Sequence, residues 1–89
     1  MRDDELDFII LKCRLAKKGH FKNLSTTEKL AAAMVWNRPD WLASTGYTFA
    51  EAIDRLGPKW LARIPAAERV LREEAERVLQ EEEASNSDA

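Results

Sequence analysis

The apolar positions in the last third of the chain repeat every three or four residues. They include Ile64, Ala67, Leu71, Ala75 and Val78. This spacing places them on one face of a helix. Pro65 suits the first turn of that helix, because a proline there gives up no intrahelical hydrogen bond. The pattern therefore predicts a long C-terminal helix over residues 65–83.

The N-terminal apolar segment, residues 6–15, fits two kinds of element. Its apolar side chains spread around most of a helical wheel, and the alternation of Ile9, Leu11, Cys13 and Leu15 also fits a strand. A strand needs a pairing partner, and the rest of the sequence offers none. We therefore favour a helix over residues 3–18, with Gly19 as its stop signal.

Two capping boxes mark the starts of two further helices. Ser25 precedes Glu28 by three positions, and Thr48 precedes Glu51 in the same way. In a capping box the hydroxyl accepts from the third amide of the helix, while the carboxylate accepts from the amide of the cap residue. We predict helices over 25–36 and 49–56. Three consecutive alanines at 31–33 let neighbouring helices approach, so the first of the two is expected at the centre.

The segments that connect these helices contain residues that typically end, cap or break a helix. Asn37 is expected to end one helix and cap a short one over 38–45, which Gly46 then stops. Gly57 and Pro58 should break the following helix, and one more turn is expected over 59–64. The predicted fold class is all-α, a compact bundle of four to five helices. It comprises one domain over 1–83 and a disordered acidic tail over 84–89.

The charge is distributed unevenly, although the formal net charge is only −2. Residues 12–22 carry five basic side chains and no acidic one. The first eleven residues carry four acids against one arginine, and residues 68–89 carry eight acids against three arginines. A basic block flanked by acidic ends has two interpretations. It attracts the acidic ends of the same chain, or it forms a contact surface for a partner.

The sequence supplies little for catalysis, metal binding or cofactor binding. Nucleophilic catalysis needs a nucleophile beside a base, and His20 is the only imidazole in the chain. Cys13 lies in an apolar segment and is expected to be a buried, inert thiol. One histidine and one cysteine do not complete a structural zinc site. No glycine-rich phosphate loop is present. We therefore predict a non-enzymatic protein without a metal or cofactor.

The N-terminal residues do not resemble a targeting signal. They begin acidic, whereas a secretory signal peptide begins basic. The apolar run at 8–11 is too short to cross a membrane. A single cysteine also forms no intrachain disulfide. These features predict a cytoplasmic protein that does not bind membranes.

The segment from Trp36 to Trp60 holds all three tryptophans of the chain. Tryptophan combines a large rigid area with a polar N–H group, which makes it frequent among residues that dominate protein interfaces. We expect at least one of the three to be partly exposed. On this basis the chain is predicted to be a small non-enzymatic adaptor or regulator that binds another macromolecule. The first candidate partner is a protein, including a second copy of the chain in a homodimer. The predicted partner-binding residues are Trp36, Arg38, Trp41 and Trp60, with Leu71 and Val78 on the final helix.

The alternative prediction is a DNA-associated regulator. The helices expected over 38–45 and 49–56 have the spacing of a helix-turn-helix motif. The basic segment 12–22 would then contact phosphate. Its basic side chains are Lys12, Arg14, Lys17, Lys18 and Lys22. However, residues 49–56 carry two acids and one arginine, and this charge opposes phosphate. Nucleic acid is therefore the second candidate partner.

Overall fold

A computed structural model describes residues 2–86 of the chain, and the side chains of residues 2–82. These residues form five α-helices and contain no strand, so the all-α prediction is confirmed. The helices are α1 (Asp4–Leu15), α2 (Thr26–Val35), α3 (Pro39–Thr45), α4 (Phe49–Leu61) and α5 (Ile64–Asn86).

The ambiguous N-terminal segment is helical. The Asp3 carboxylate caps α1 by accepting from the Leu6 amide at 3.0 Å. Ile9 and Cys13 are fully buried, whereas Phe8 and Leu11 on the other side of the helix are exposed. This two-sided apolar pattern explains why the sequence also fitted a strand. The chain leaves α1 through one wide helical turn, Ala16–His20.

Helix α2 lies at the centre of the bundle and contacts each of the other four helices. Its predicted capping box between Ser25 and Glu28 is present. Leu30 is fully buried, and the alanines at 31–33 are buried beside it. Side chains this small allow the neighbouring helices to pack closely against α2, as the sequence predicted.

At the junction between α2 and α3, Asn37 ends α2 as predicted, but the cap of α3 differs from its prediction. Asn37 does not cap α3; the cap residue is Arg38, which makes no side-chain capping bond. Instead Asn37 adopts a left-handed conformation with φ of 52°. Its amide donates to Met34 O at 3.2 Å, and the Arg38 amide donates to Ala33 O at 2.8 Å. These two bonds form a Schellman motif, so Asn37 closes α2.

Helix α4 begins at the predicted capping box of Thr48 and Glu51. It is interrupted at Gly57, which has φ of 75° and ψ of 167°, so the predicted break is confirmed. The extra turn expected over 59–64 therefore falls earlier, between Pro58 and Leu61. Both segments of α4 contribute to the surfaces described below.

Helix α5 is longer than predicted. It begins at Ile64 and extends to Asn86, so residues 84–86 of the predicted tail are helical. Glutamate and alanine favour helices, and no glycine or proline follows Pro65 to stop this one. Residues 87–89 of the predicted tail lie outside the described residues. Beyond Leu71, the described side chains are exposed except for the half-buried Glu74, so the distal half of α5 projects from the bundle.

Candidate functional site

The predicted partner-binding residues are divided among three places on the surface. The first is a groove of about 490 Å³ between the end of α1 and α5, which we call the α1–α5 groove. It brings together three predicted partner-binding residues and three predicted phosphate contacts. Its lining residues are Arg14, Lys17, Lys18, Trp36, Leu71, Glu74, Ala75, Val78 and Leu79.

Trp36 is fixed in this groove by contacts with α1 and the following turn. Its indole Nε1 donates to the Cys13 carbonyl at 2.9 Å. The Lys17 ammonium lies 4.9 Å from the centroid of the Trp36 ring, at the distance of a cation–π contact. Trp36 therefore joins α2 to the end of α1 and forms an apolar wall opposite α5.

Three of the five predicted phosphate contacts have partners within the chain. Arg14 donates two hydrogen bonds to the Glu74 carboxylate, at 2.9 and 3.2 Å. Lys12 lies 3.9 Å from Glu28, and Lys17 contacts Trp36 as described. Lys18 and Lys22 are exposed. Of these contacts, the Arg14–Glu74 pair joins the basic block to the acidic C-terminal segment, which is the attraction that the first interpretation of the charge predicted.

The second place is a groove of about 320 Å³ at the meeting point of α2, α3 and α4, which we call the junction groove. Phe49 and Ile53 of α4 lie on its edge with 63% and 48% of their surface exposed. Arg38 is the predicted partner-binding residue found here. The groove is lined by Ala33, Met34, Asn37, Arg38, Pro39, Leu42, Phe49, Ile53 and Leu61.

Phe49 and Ile53 were absent from the predicted site. The sequence does contain a signal for them, because Phe49, Ala52, Ile53 and Leu56 follow the spacing of one helix face. In the structure Ala52 and Leu56 are buried, while the other half of this apolar face remains open. The apolar face of α4 is therefore wider than the part of it that contacts the core, and the uncovered part borders the junction groove.

Arg38 and Trp41 are held by several contacts beside the junction groove. The Arg38 guanidinium donates to both carboxylate oxygens of Asp40, at 2.8 and 2.9 Å. This hydrogen-bonded guanidinium lowers the pKa of Asp40 below its usual value. Arg38 also lies 4.4 Å from the Trp41 ring centroid, and Trp41 stacks on Phe21 at 4.7 Å. These contacts give Arg38 a fixed orientation.

The third place contains Trp60, whose ring meets the edge of Phe8 with 6.1 Å between centroids. Trp60 lines neither groove, so the structure does not join it to the other predicted residues. All three tryptophans are partly exposed, which agrees with the exposure expected for at least one of them.

Cys13 is fully buried, and burial raises the pKa of its thiol to about 12. We expect no reaction of the native protein with a disulfide reagent at pH 8, because the thiolate is both scarce and inaccessible. Reaction should follow promptly when denaturant is added. The absorbance of the thiolate that the reagent releases measures the rate of labelling in the native and in the denatured protein. Rapid labelling of the native protein would contradict the buried position of Cys13.

Among the described residues, no cluster of three or more histidine, cysteine, aspartate or glutamate side chains is placed to hold a metal ion. No helix in residues 2–86 combines the length and apolar character needed to cross a membrane. Comparison of the chain with protein-family models, curated proteins and solved structures gives no significant match.

Proposed function

We propose that this protein is a cytoplasmic, non-enzymatic adaptor or regulator that binds a partner protein at the junction groove. The observation that supports this proposal is the exposure of Phe49 and Ile53 at the edge of an apolar depression. Scattered exposed apolar residues are ordinary on protein surfaces. Two large exposed apolar side chains that are adjacent on one helix face and border a groove are typical of an interaction site.

The junction groove suits a short apolar segment or one face of a helix from the partner. Leu42 and Ala33 form a buried floor, and Met34 adds a side chain that adapts to different shapes. Burying the exposed parts of Phe49 and Ile53, which are about half to two-thirds of each side chain, would contribute roughly 1–2 kcal/mol for each. Arg38, held by Asp40, offers a fixed donor group at the rim.

The DNA-associated alternative has less support. The α3–turn–α4 arrangement has the spacing of a helix-turn-helix motif, but the exposed positions of α4 include Phe49, Glu51, Ile53 and Asp54. Direct reading of bases relies on side chains that donate or accept hydrogen bonds, and acids repel phosphate. The intramolecular contacts of Lys12 and Arg14 further reduce the basic surface available to DNA.

The double substitution Phe49→Ser/Ile53→Ser tests the proposal. A tagged protein is used to retain partners from host-cell lysate, with and without nuclease, and the retained protein is then titrated in purified form. We expect the double variant to bind that protein at least about tenfold more weakly, because both side chains would occupy the centre of the interface.

Leu11→Ser is the matched control, because Leu11 is an exposed apolar residue on α1 and lies outside the junction groove. It should bind the partner as the wild type does. Equal binding by the double variant and the wild type would refute the junction groove as the interface. Binding that disappears with nuclease and weakens steeply with salt would favour the DNA-associated alternative.

A further inference from the structure

The α1–α5 groove and the projecting half of α5 are complementary parts of the same chain. We propose that this groove binds α5 of a second copy, so that two chains form a two-fold symmetric dimer through antiparallel α5 helices. The proposal goes beyond the adaptor function, because it uses a surface separate from the junction groove. It also leaves both junction grooves of the dimer open to partners.

The apolar part of the interface is already grouped on one helix face. Ala75, Val78 and Leu79 follow the buried Leu71 at helical spacing and line the α1–α5 groove. Val78 is 48% exposed and Leu79 is 57% exposed, although both lie beside Trp36. The small Ala75 side chain permits close approach of a second helix. A helix laid along this groove would cover all three exposed positions.

The charges on the two sides are opposite. Residues 14–18 contain three basic side chains and no acidic one. Residues 73–83 contain six acids against a single arginine. One acid in this stretch, Glu74, already pairs with Arg14 of its own chain, which shows that the two segments attract each other. The same attraction is available between a groove and the distal α5 of another copy.

The orientation of the second helix follows from these positions. Pairing two α5 helices in an antiparallel manner around Val78 and Leu79 places Glu81 and Glu82 of one copy level with residues 75–76 of the other. Residue 75 lines the same groove as Arg14, Lys17 and Lys18, and Arg14 already contacts the neighbouring Glu74. A parallel arrangement would instead align the acidic ends and make them repel. In the two-fold arrangement every favourable contact occurs twice.

The interface is small, because only about three turns of α5 and one groove contribute from each chain. Stable dimers commonly bury about 800 Å² on each partner. We therefore expect association at micromolar concentrations and a salt-dependent affinity. Since Val78 and Leu79 lie outside the buried core, substitutions there should leave folding intact.

Charge reversal provides the main test. The variants are Lys17→Glu/Lys18→Glu, Glu81→Lys/Glu82→Lys, and the combination of all four. Sedimentation equilibrium of the full chain should show each double variant dimerising at least about tenfold more weakly than wild type. The combined variant should recover most of the lost affinity, because the reversed charges again attract across the interface. Lys22→Glu is the control, since Lys22 is exposed and lies outside the groove.

Two outcomes would overturn the proposal. One is a wild-type chain that remains monomeric at high micromolar concentration, which would leave the groove to a different protein. The other is a combined variant no better than either double variant. Circular dichroism identifies a variant that has failed to fold. The Phe49→Ser/Ile53→Ser variant should dimerise normally, so failure of the adaptor proposal and failure of the dimer are distinguishable.

Oxidative crosslinking tests which face of α5 forms the dimer, independently of charge. Leu79→Cys should form a disulfide-linked dimer readily, because the two copies of residue 79 flank the two-fold axis. Glu73→Cys is the matched control, since residue 73 is exposed on the opposite face of α5. The buried Cys13 should contribute little background. Equal crosslinking at the two positions would contradict pairing through the face of α5 that carries Val78 and Leu79.

Discussion

Replacing Leu30 with alanine is expected to lower the free energy of unfolding by about 2–5 kcal/mol, the largest loss for any of the substitutions considered. Leu30 is fully buried in α2, the helix that contacts all four others. Its removal leaves a cavity where several helices meet, and the alanines around it are too short to fill the space. A small domain is stable by only about 5–15 kcal/mol, so this loss would remove a large share of its stability.

Urea denaturation followed by tryptophan fluorescence and circular dichroism measures the effect. Leu11→Ala is the matched control, because the same side-chain change occurs at a position that is 49% exposed. We expect it to cost less than about 1 kcal/mol. Equal losses for the two variants would show that α2 is not the centre of the core.

Much of this fold is predictable because its signals are local. The capping boxes at Ser25 and Thr48 fix the starts of α2 and α4 through hydrogen bonds that span three residues. The helical stripe of the final segment likewise specifies α5. The alanines at 31–33 indicate a helix that packs closely against its neighbours on several sides. Such features depend on neighbouring residues alone, and the sequence displays them directly.

Other features depend on which of two local backbone conformations a residue adopts. Asn37 suits either a helix cap or a left-handed turn, and both roles are chemically reasonable for asparagine. The Schellman bonds to Ala33 and Met34 favour the turn, because they satisfy two carbonyl groups at the end of α2. The sequence pattern alone does not rank these two roles. An asparagine at such a junction is therefore compatible with both a helix cap and a helix end.

The candidate binding surfaces depend on residues that are distant in sequence. Trp36 and Val78 line the same groove, although forty-two positions separate them. Tryptophan content correctly suggested partial exposure, yet Trp60 lies apart from both grooves. Phe49 and Ile53 become notable only when Ala52 and Leu56 are seen to satisfy the core contact of α4. The way in which the helices pack decides which half of an apolar helix face remains exposed, so the sequence alone does not show it.

The second large effect is expected at Gly57, where substitution by alanine or asparagine should cost about 1–3 kcal/mol. Gly57 has φ of 75° and ψ of 167°, a conformation almost restricted to glycine. An added Cβ would meet no atom within 4 Å, so the cost comes from the backbone and not from a clash. Thermal and urea denaturation measure the loss.

Gly46 supplies a matched control, because its φ of 79° and ψ of 3° lie in the ordinary left-handed region. Asparagine tolerates that region better than alanine does. We therefore expect Gly46→Asn to be milder than Gly46→Ala, whereas the two substitutions at Gly57 should be equally harmful. A clear rescue by asparagine at Gly57 would contradict the conformation described there.

Relaxation of the Gly57 variants would also change the binding surface. Pro58 disfavours a helical conformation for the residue before it, so a substituted position 57 cannot simply continue α4. A change of φ to a negative value would redirect the turn from Pro58 to Leu61, and Leu61 lines the junction groove. Folded Gly57→Ala should therefore bind the partner more weakly although Phe49 and Ile53 are intact. Unchanged partner affinity in that variant would show that the second segment of α4 does not shape the groove.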